Sequence, residues 1–234
     1  VSVKLVSTTL PSRDLKDYGV YSGEDLMVYA ARVSSPQNQH DTATGERLLR
    51  YCIKHGHWSV FDMADMTVEV QTSRAISAQV VRHWSFDGLE VSGDFRFQEF
   101  SQRYAPVAGF ETYEARAPHP KNRQLSVDTL SESAKVRFQQ QQEHVQTICN
   151  SLYLEALELG IAKECARFLL PMSAATTFYM KGSVRSWIHY LKQRSPACGA
   201  EGVQPEHGEI ADRIAFLFAE QFPLTYKAAF NEQA

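Results

Sequence analysis

The chain predicts a fold that mixes strands and helices in a single domain, residues 1–234. Three observations point there. Val1–Leu10, Met66–Val70 and Thr176–Met180 carry the alternation or β-branched character of strands. Several other segments repeat apolar residues at helical intervals, the longest from Ser126 to Leu159. No internal repeat and no linker-like shift in composition divides the sequence, and 234 residues suffice to bury one large core.

In chain order, a strand over 1–10 is followed by a helix from Gly23 that gives out at Ser34-Ser35-Pro36. A second helix spans Asp41–His55, with Leu48, Leu49, Cys52 and Ile53 as its buried stripe. The strand at Met66–Val70 leads into a helix that Ser73 can cap. Residues 105–125 are rich in Pro, Ala and charge and read as irregular. The long helix over 126–159 carries Leu130, Ala134, Val136, Phe138, Val145, Ile148, Leu152 and Leu157 at helical spacing, and its Gln139–Gln142 run as a polar face. Gly160 ends it, and a short helix runs from Ile161 to Leu169 before Pro171. A helix over Ser183–Arg194 follows the third strand, and Glu209–Phe218 reads as a closing amphipathic helix.

Composition narrows the class. An apolar fraction of 44% and a charged fraction of 22% are ordinary for a globular protein. The formal net charge of -3 argues against duplex nucleic acid and anionic membrane as partners. The sequence shows neither a signal peptide nor a run of about 18 apolar residues, so a cytoplasmic protein is expected. Cys52, Cys149, Cys165 and Cys198 are scattered without a C-x-x-C pair and read as reduced thiols. His55 and His57 have no third and fourth ligand at a characteristic spacing, so no metal site is expected.

The chemistry concentrates between Gln79 and Tyr104, QVVRHWSFDGLEVSGDFRFQEFSQRY. On a helix running to His83, Gln79, Arg82 and His83 share a face. In an extended chain Glu99, Ser101 and Arg103 point the same way. Two cationic clusters joined by a loop suit an anion, most directly a phosphate, because Arg offers planar bidentate donors. Arg82 alone reads as a solvated surface charge; the whole set does not.

These residues resemble the signature of the flavin-dependent thymidylate synthases, Q-x-x-R-H-R and then S-x-R-Y. Gln79, Arg82, His83, Ser101, Arg103 and Tyr104 match, with Gln98-Glu99 at the family's Asn/Gln-Glu pair. Trp84 stands where the family has a third basic residue, and Asp87–Phe95 reads as an insertion after which Arg96 can restore that charge. The resemblance extends to A-R-V-S ending at Ser34, to H-x-S-x-F-E at His57, Ser59, Phe61 and Asp62, where Asp62 is one methylene shorter than the family's Glu, and to A-R-x-x-L-P at Arg167. It continues through Arg185, Ser186, Leu191 and Arg194, where Ser183 and His189 replace two asparagines, and through Gln204 and Glu206. A second insertion falls at 195–203. The matches span residues 31–210.

The resemblance implies a single α+β domain with an antiparallel sheet and long helices, a homotetramer whose sites draw on several subunits, and conversion of dUMP to dTMP. Methylenetetrahydrofolate is then the carbon donor, NADPH the reductant and FAD the cofactor. It implies Gln79, Arg82, Glu99, Ser101, Gln102, Arg103, Arg167 and Arg194 around dUMP. It implies Ser34, His57, Ser59, Asp62, Arg82, His83, Trp84, Gln98, Glu99, Ser183, Arg185 and His189 around FAD, with Arg194, His83 and Arg82 as the catalytic set. From the residues alone, Ser34 is equally a helix-terminus residue serving its own backbone, and Arg167 equally one half of a structural ion pair. Arg185 and Arg194 lie about two and a half turns apart and face opposite sides of their helix.

Cys198 lacks an adjacent His and sits in the second insertion, which argues against a cysteine nucleophile attacking the pyrimidine. No base is predictably placed to activate Ser101, so a phosphate hydrogen bond suits it better. The chain has no G-x-G-x-x-G of a dinucleotide-binding domain. Two rivals stand beside the enzyme: a nucleotide-binding module of the same fold without flavin chemistry, and a nucleic-acid binder stacking bases on Trp84, Phe86, Phe97 and Tyr104. The negative net charge disfavours the second.

Overall fold

The expected first strand is β1, Ser2–Thr8. The structure, a computed structural model, describes residues 1–41, 43–84 and 95–231. Helices α1 (Gly23–Ala31) and α2 (Gly45–Lys54) follow, then strand β2 (Asp65–Ser73) and helix α3 (Arg74–Val80). Strand β3 (Arg96–Glu99) and the short pair β4 (Ala117–Pro118) and β5 (Ser126–Val127) precede the long helix α4 (Glu132–Glu158). Helix α5 (Lys163–Ala166), strand β6 (Ala175–Ser183) and helices α6 (Val184–Arg194), α7 (Pro205–Gln221) and α8 (Pro223–Phe230) complete the chain. The main sheet has four strands in the order β1-β2-β6-β3, and β4 pairs antiparallel with β5. The α+β class is the one expected.

Packing divides these residues into two compact units. The first comprises Val1, Gln71–Val81 and Gln98–Phe178; the second comprises Ser2–Val70, Arg82–Phe97 and Tyr179–Ala234. In the first unit, Ser73 caps α3 by accepting from the Ile76 N–H, and Ser131 caps α4 through the Ala134 N–H. Tyr153 and Ala156 of α4 bury against Ala166 of α5. The polar face of α4 has a definite task. Gln142 bonds both backbone groups of Tyr113 (3.0 and 2.7 Å), and Gln146 donates to the Glu111 carbonyl at 2.9 Å. A loop without regular structure is thereby tied down through side-chain amides.

In the second unit, α6 is buried on most of its circumference, with Val184, Trp187, Ile188, Tyr190 and Leu191 inaccessible to solvent. The Trp187 indole donates to the Met66 carbonyl at 3.0 Å, so the buried ring keeps its polar atom satisfied. Ile210, Ala211, Ile214, Ala215 and Phe218 give α7 its buried stripe. Phe95 closes the cluster: its ring lies 4.7 Å from that of Trp187, and a β-carbon on Gly182 would stand 2.4 Å from it. The α8 N-terminus has no side-chain cap of its own, and Glu24 of α1 takes that role. Its carboxylate accepts from the Leu224 N–H (3.1 Å), the Thr225 N–H (2.7 Å) and the Thr225 hydroxyl (2.8 Å).

Several elements depart from expectation. The long helix begins at Glu132, because Ser126 and Val127 are used by β5 and Ser131 supplies the cap. α3 ends at Val80 and tightens into a 3₁₀ turn over Val81–Trp84. That change of pitch separates the residues expected on one face: His83 is buried, whereas Arg82 is exposed. The alternation Glu99, Ser101, Arg103 stops at Glu99, since the following residues turn. The Tyr104 N–H bonds the Ser101 carbonyl at 3.1 Å, and the Arg103 N–H approaches the Ser101 hydroxyl at 3.3 Å. Residues 195–203 form a 3₁₀ turn (Pro196–Cys198) anchored on α7, where Asp212 accepts from the Ser195 hydroxyl (2.6 Å) and the Ala197 N–H (3.0 Å). The segment read as the first insertion reaches into the core at its last residue, because Phe95 is buried; the rest of it, and the Trp84 side chain, lie outside the described residues.

Candidate active site

In the first unit, the half-buried Glu99 carboxylate is held by three donors. Arg74 approaches to 2.8 Å, the Ser77 hydroxyl to 2.5 Å and the Thr176 hydroxyl to 3.0 Å. Arg74 and Ser77 are three apart on α3 and so face the same way. Arg74 was not singled out by the sequence reading; its only signal was that spacing. Beside it lies a cavity of about 330 Å³, lined by Arg74, Gln102, Arg167, Phe168, Leu170, Pro171 and Met172.

Arg167 has no carboxylate partner among the described residues, which removes the structural ion pair as its explanation. Its Nε donates to the Glu164 carbonyl at 3.2 Å, and its guanidinium sits 5.5 Å from the Phe168 ring centroid. Gln102 is buried at the same cavity. Arg103 does not line it. It pairs with Glu164 at 3.0 Å, an exposed bridge of small energetic weight that a competing anion can displace. Gln79 and Ser101 are half-buried and Gln98 is exposed.

In the second unit, the two arginines of α6 face opposite ways as the spacing predicts. Near the start of the helix, Asp62 accepts from Arg185 (3.2 Å) and from the Ser183 hydroxyl (2.8 Å), so Ser183 both caps α6 and fixes Asp62. The shorter carboxylate of Asp62 therefore reaches its partners. His189 lies against Trp58, with ring centroids 4.5 Å apart. Burial, then Lys192 and Arg185, push its pKa down to about 4. Its Nε2 is buried without a hydrogen-bond partner among the described residues. His57, Ser59 and Ser34 are exposed, Ser34 beyond the end of α1.

At the other end of α6, Arg194 Nε donates to His83 Nε2 at 3.0 Å. His83 must accept there, so its ring is neutral with the proton on Nδ1. Burial, then the charges of Arg194 and Arg82, hold its pKa at about 4. Tyr190 and His207, hydrogen-bonded at 3.1 Å and both buried, wall the same ring. Burial, then Arg194 and His83, bring His207 down to about 3. This pair was invisible in the sequence, since no motif spacing links residues on two separate helices.

The three depressed histidines give a pH signature. The unfolded chain, with histidines near 6.5, binds more protons than the folded chain between that value and about 4, so their contribution is complete above 6.5 and lost as pH falls. The melting temperature is expected to drop across this window, starting above the range where most carboxylates titrate. A flat profile from pH 6.5 to 4.5 in differential scanning fluorimetry would contradict these burial states.

The donors fit an anionic, ring-bearing ligand. The unsatisfied His189 nitrogen next to an indole, the Arg185 guanidinium and the neutral His83 could hold a flavin nucleotide, while Arg194 offers its guanidinium to a separate anionic ring edge. Among the described residues no group of three His, Cys, Asp or Glu is placed to hold a metal ion.

Comparison with known proteins specifies the class. Residues 18–224 match the family model described as "Thymidylate synthase complementing protein". The chain is 46% identical over 231 residues to "Probable flavin-dependent thymidylate synthase" of Paramecium bursaria Chlorella virus 1, covering 97% of this chain and 98% of that one. It is 46% identical over 223 residues to the flavin-dependent thymidylate synthase of Synechocystis, with 95% and 96% covered. Among solved structures, a UMP/dUMP methylase, PolB, from Streptomyces cacaoi, bound with 5-Br dUMP, has the same fold, with a TM-score of 0.77 at 24% identity over 97% of this chain and 93% of that one. The chain belongs to the flavin-dependent thymidylate synthase family.

Proposed function

We propose that this protein makes dTMP from dUMP, with FAD as its flavin, methylenetetrahydrofolate as carbon donor and NADPH as reductant. The observation that carries the reading is the Arg194–His83 bond. It leaves both Arg194 Nη groups without a hydrogen bond among the described residues, on a guanidinium whose Nε is already fixed. Such a group suits the O2/N3 edge of a uracil ring on which negative charge develops.

When bound, the flavin supplies hydride transfer between reductant and pyrimidine. The residues of the chain bind and orient. Gln79, Ser101, Gln102, Arg103 and Arg167 are assigned to dUMP, the arginines to its phosphate, and Glu99 is held in place by Arg74. Arg82, His83, His57, Ser59, Asp62, Ser183, Arg185 and His189 are assigned to the flavin, with Ser34 and Gln98 at its periphery.

Assembly as a homotetramer is part of the proposal, so that one site draws residues from several copies. It is supported by α4, on which Phe138, Val145, Ile148, Leu152 and Leu159 at its end remain 40–72% exposed at near-heptad spacing. An apolar stripe of that kind suits a second helix. No helix among the described residues is long and apolar enough to cross a membrane, and the four cysteines are free, which supports a reducing, cytoplasmic setting.

The test is direct. Purified protein is expected to be yellow, to release FAD on denaturation, and to form dTMP from dUMP only when methylenetetrahydrofolate and NADPH are both supplied, read by mass spectrometry. A colourless protein that binds dUMP and takes up no added FAD would leave the nucleotide-binding module as the better description.

A further inference from the structure

We propose that Arg32, Thr44, Arg47, Leu48 and Tyr51, on and between α1 and α2, bind a phosphomonoester carried on adenosine: the 2′-phosphate end of the reducing dinucleotide. The proposal rests on the reading above that such a dinucleotide is the reductant. These residues line a cavity of about 260 Å³. Ligand pockets for whole drug-sized molecules start at about 300 Å³, so this one suits one end of a dinucleotide.

Arg32 is the built part. Its side chain is nine-tenths buried, and its guanidinium is locked. Nη1 donates to the Asn38 carbonyl (2.9 Å) and to Asp41 (3.1 Å), and Nη2 to the Thr44 hydroxyl (2.6 Å). Its Nε is buried with no partner among the described residues. A buried donor left unmatched is unfavourable, and a ligand oxygen would satisfy it. Asp41, which also accepts from the Thr44 hydroxyl and the Ala43 N–H, cancels the charge of Arg32.

The charge of the site therefore comes from Arg47. It is exposed and has no carboxylate partner among the described residues, whereas Arg50, one turn on, is already paired with Glu46 at 3.1 Å. One fixed donor and one uncommitted fork are the means by which proteins hold a phosphate dianion. An arginine near the ribose is likewise how dinucleotide-binding folds accommodate a 2′-phosphate.

Leu48 and Tyr51 give the purine an apolar and aromatic wall. The Tyr51 ring also neighbours those of His55 (4.2 Å) and His57 (5.8 Å). A ligand seated at the arginines and running along Tyr51 thus points toward His57, assigned above to the flavin.

The experiment has two arms. In flavin-loaded protein without oxygen, the rate of flavin reduction is titrated with NADPH and with NADH. Arg47→Gln is expected to raise the apparent Kd for NADPH about tenfold, the scale of one charge-assisted contact, and to leave NADH and flavin content unchanged. Equal effects on the two nucleotides, or none, would overturn the site. In the second arm, calorimetry follows binding of adenosine 2′-monophosphate, adenosine and inorganic phosphate. The 2′-monophosphate should bind about tenfold more weakly to Arg47→Gln than to wild type, and adenosine should bind more weakly than the 2′-monophosphate to wild type and be unaffected by the substitution. Inorganic phosphate binding as tightly as the nucleotide would reduce the site to a free-phosphate site and overturn the adenosine assignment. If neither dinucleotide reduces the flavin, the reductant reading fails, while the calorimetry still decides whether the site exists.

Discussion

Arg194→Ala is expected to retain its flavin and to lose dUMP-dependent oxidation of the reduced enzyme by about 100- to 1000-fold, the scale of removing one electrostatic donor from a developing anion. The side chain is half-buried and its Nε is held by His83 at 3.0 Å, so the guanidinium is oriented before substrate arrives. Lysine should not rescue, because an ammonium cannot keep the His83 contact and offer a planar fork as well. A second readout is independent of turnover. Arg194 is one of the charges that depress His83, so its removal should move the His83 titration upward, measurable by NMR. Single-turnover oxidation within twofold of wild type would remove Arg194 from the mechanism.

The largest stability effect is expected at Glu24, which lines neither proposed pocket. Its carboxylate is 4% exposed and takes the place of a side-chain cap for α8 through three hydrogen bonds. Alanine would leave two N–H groups and a hydroxyl unsatisfied in a buried position, at a cost of about 3–5 kcal/mol. For a chain of this size that corresponds to roughly 10 °C in melting temperature. Burial raises the Glu24 pKa above its ordinary value, with Thr225 and Leu224 opposing the shift. The protonated form is thus favoured by folding, and the residue's contribution declines as pH rises through the folded-state pKa. Glu24→Gln, which keeps an acceptor and carries no charge, should therefore be milder than Glu24→Ala. Melting of Glu24→Ala within 2 °C of wild type would show that α8 is held by its packing on α2 and α7.

What was legible in the sequence was what local rules control. Ser73 capping α3, the presence of strand β1, the alternation of β2, and the opposed faces of Arg185 and Arg194 all follow from periodicity and capping, and the structure has them. The reading failed where the pitch of the chain changes within a few residues. The 3₁₀ turn after Val80 buried His83 while exposing Arg82, and the turn after Ser101 sent Arg103 to Glu164. Residues that meet only through the tertiary fold carried no local signal. Arg74 reaches Glu99 from a different element, and Tyr190 meets His207 across two helices. α8 escaped notice because its cap, Glu24, lies 200 positions earlier. At Arg167 the sequence left two explanations open, and the structural ion pair is the one that finds no carboxylate among the described residues.

The closeness of Phe95 to Gly182 gives two sequence positions a shared history. The aromatic ring stands where any side chain at 182 would begin, 2.4 Å from the place of a β-carbon, and its own burial among Trp187 and Tyr190 leaves it no direction in which to yield. Each position decides what the other can become. A lineage in which alanine appears at 182 must first have shortened residue 95 and tolerated the resulting void; the reverse order passes through a collision. Substitutions at the two sites are therefore contingent on sequence in time as well as in space, and a relative with a side chain at 182 is expected to carry something smaller than phenylalanine at 95.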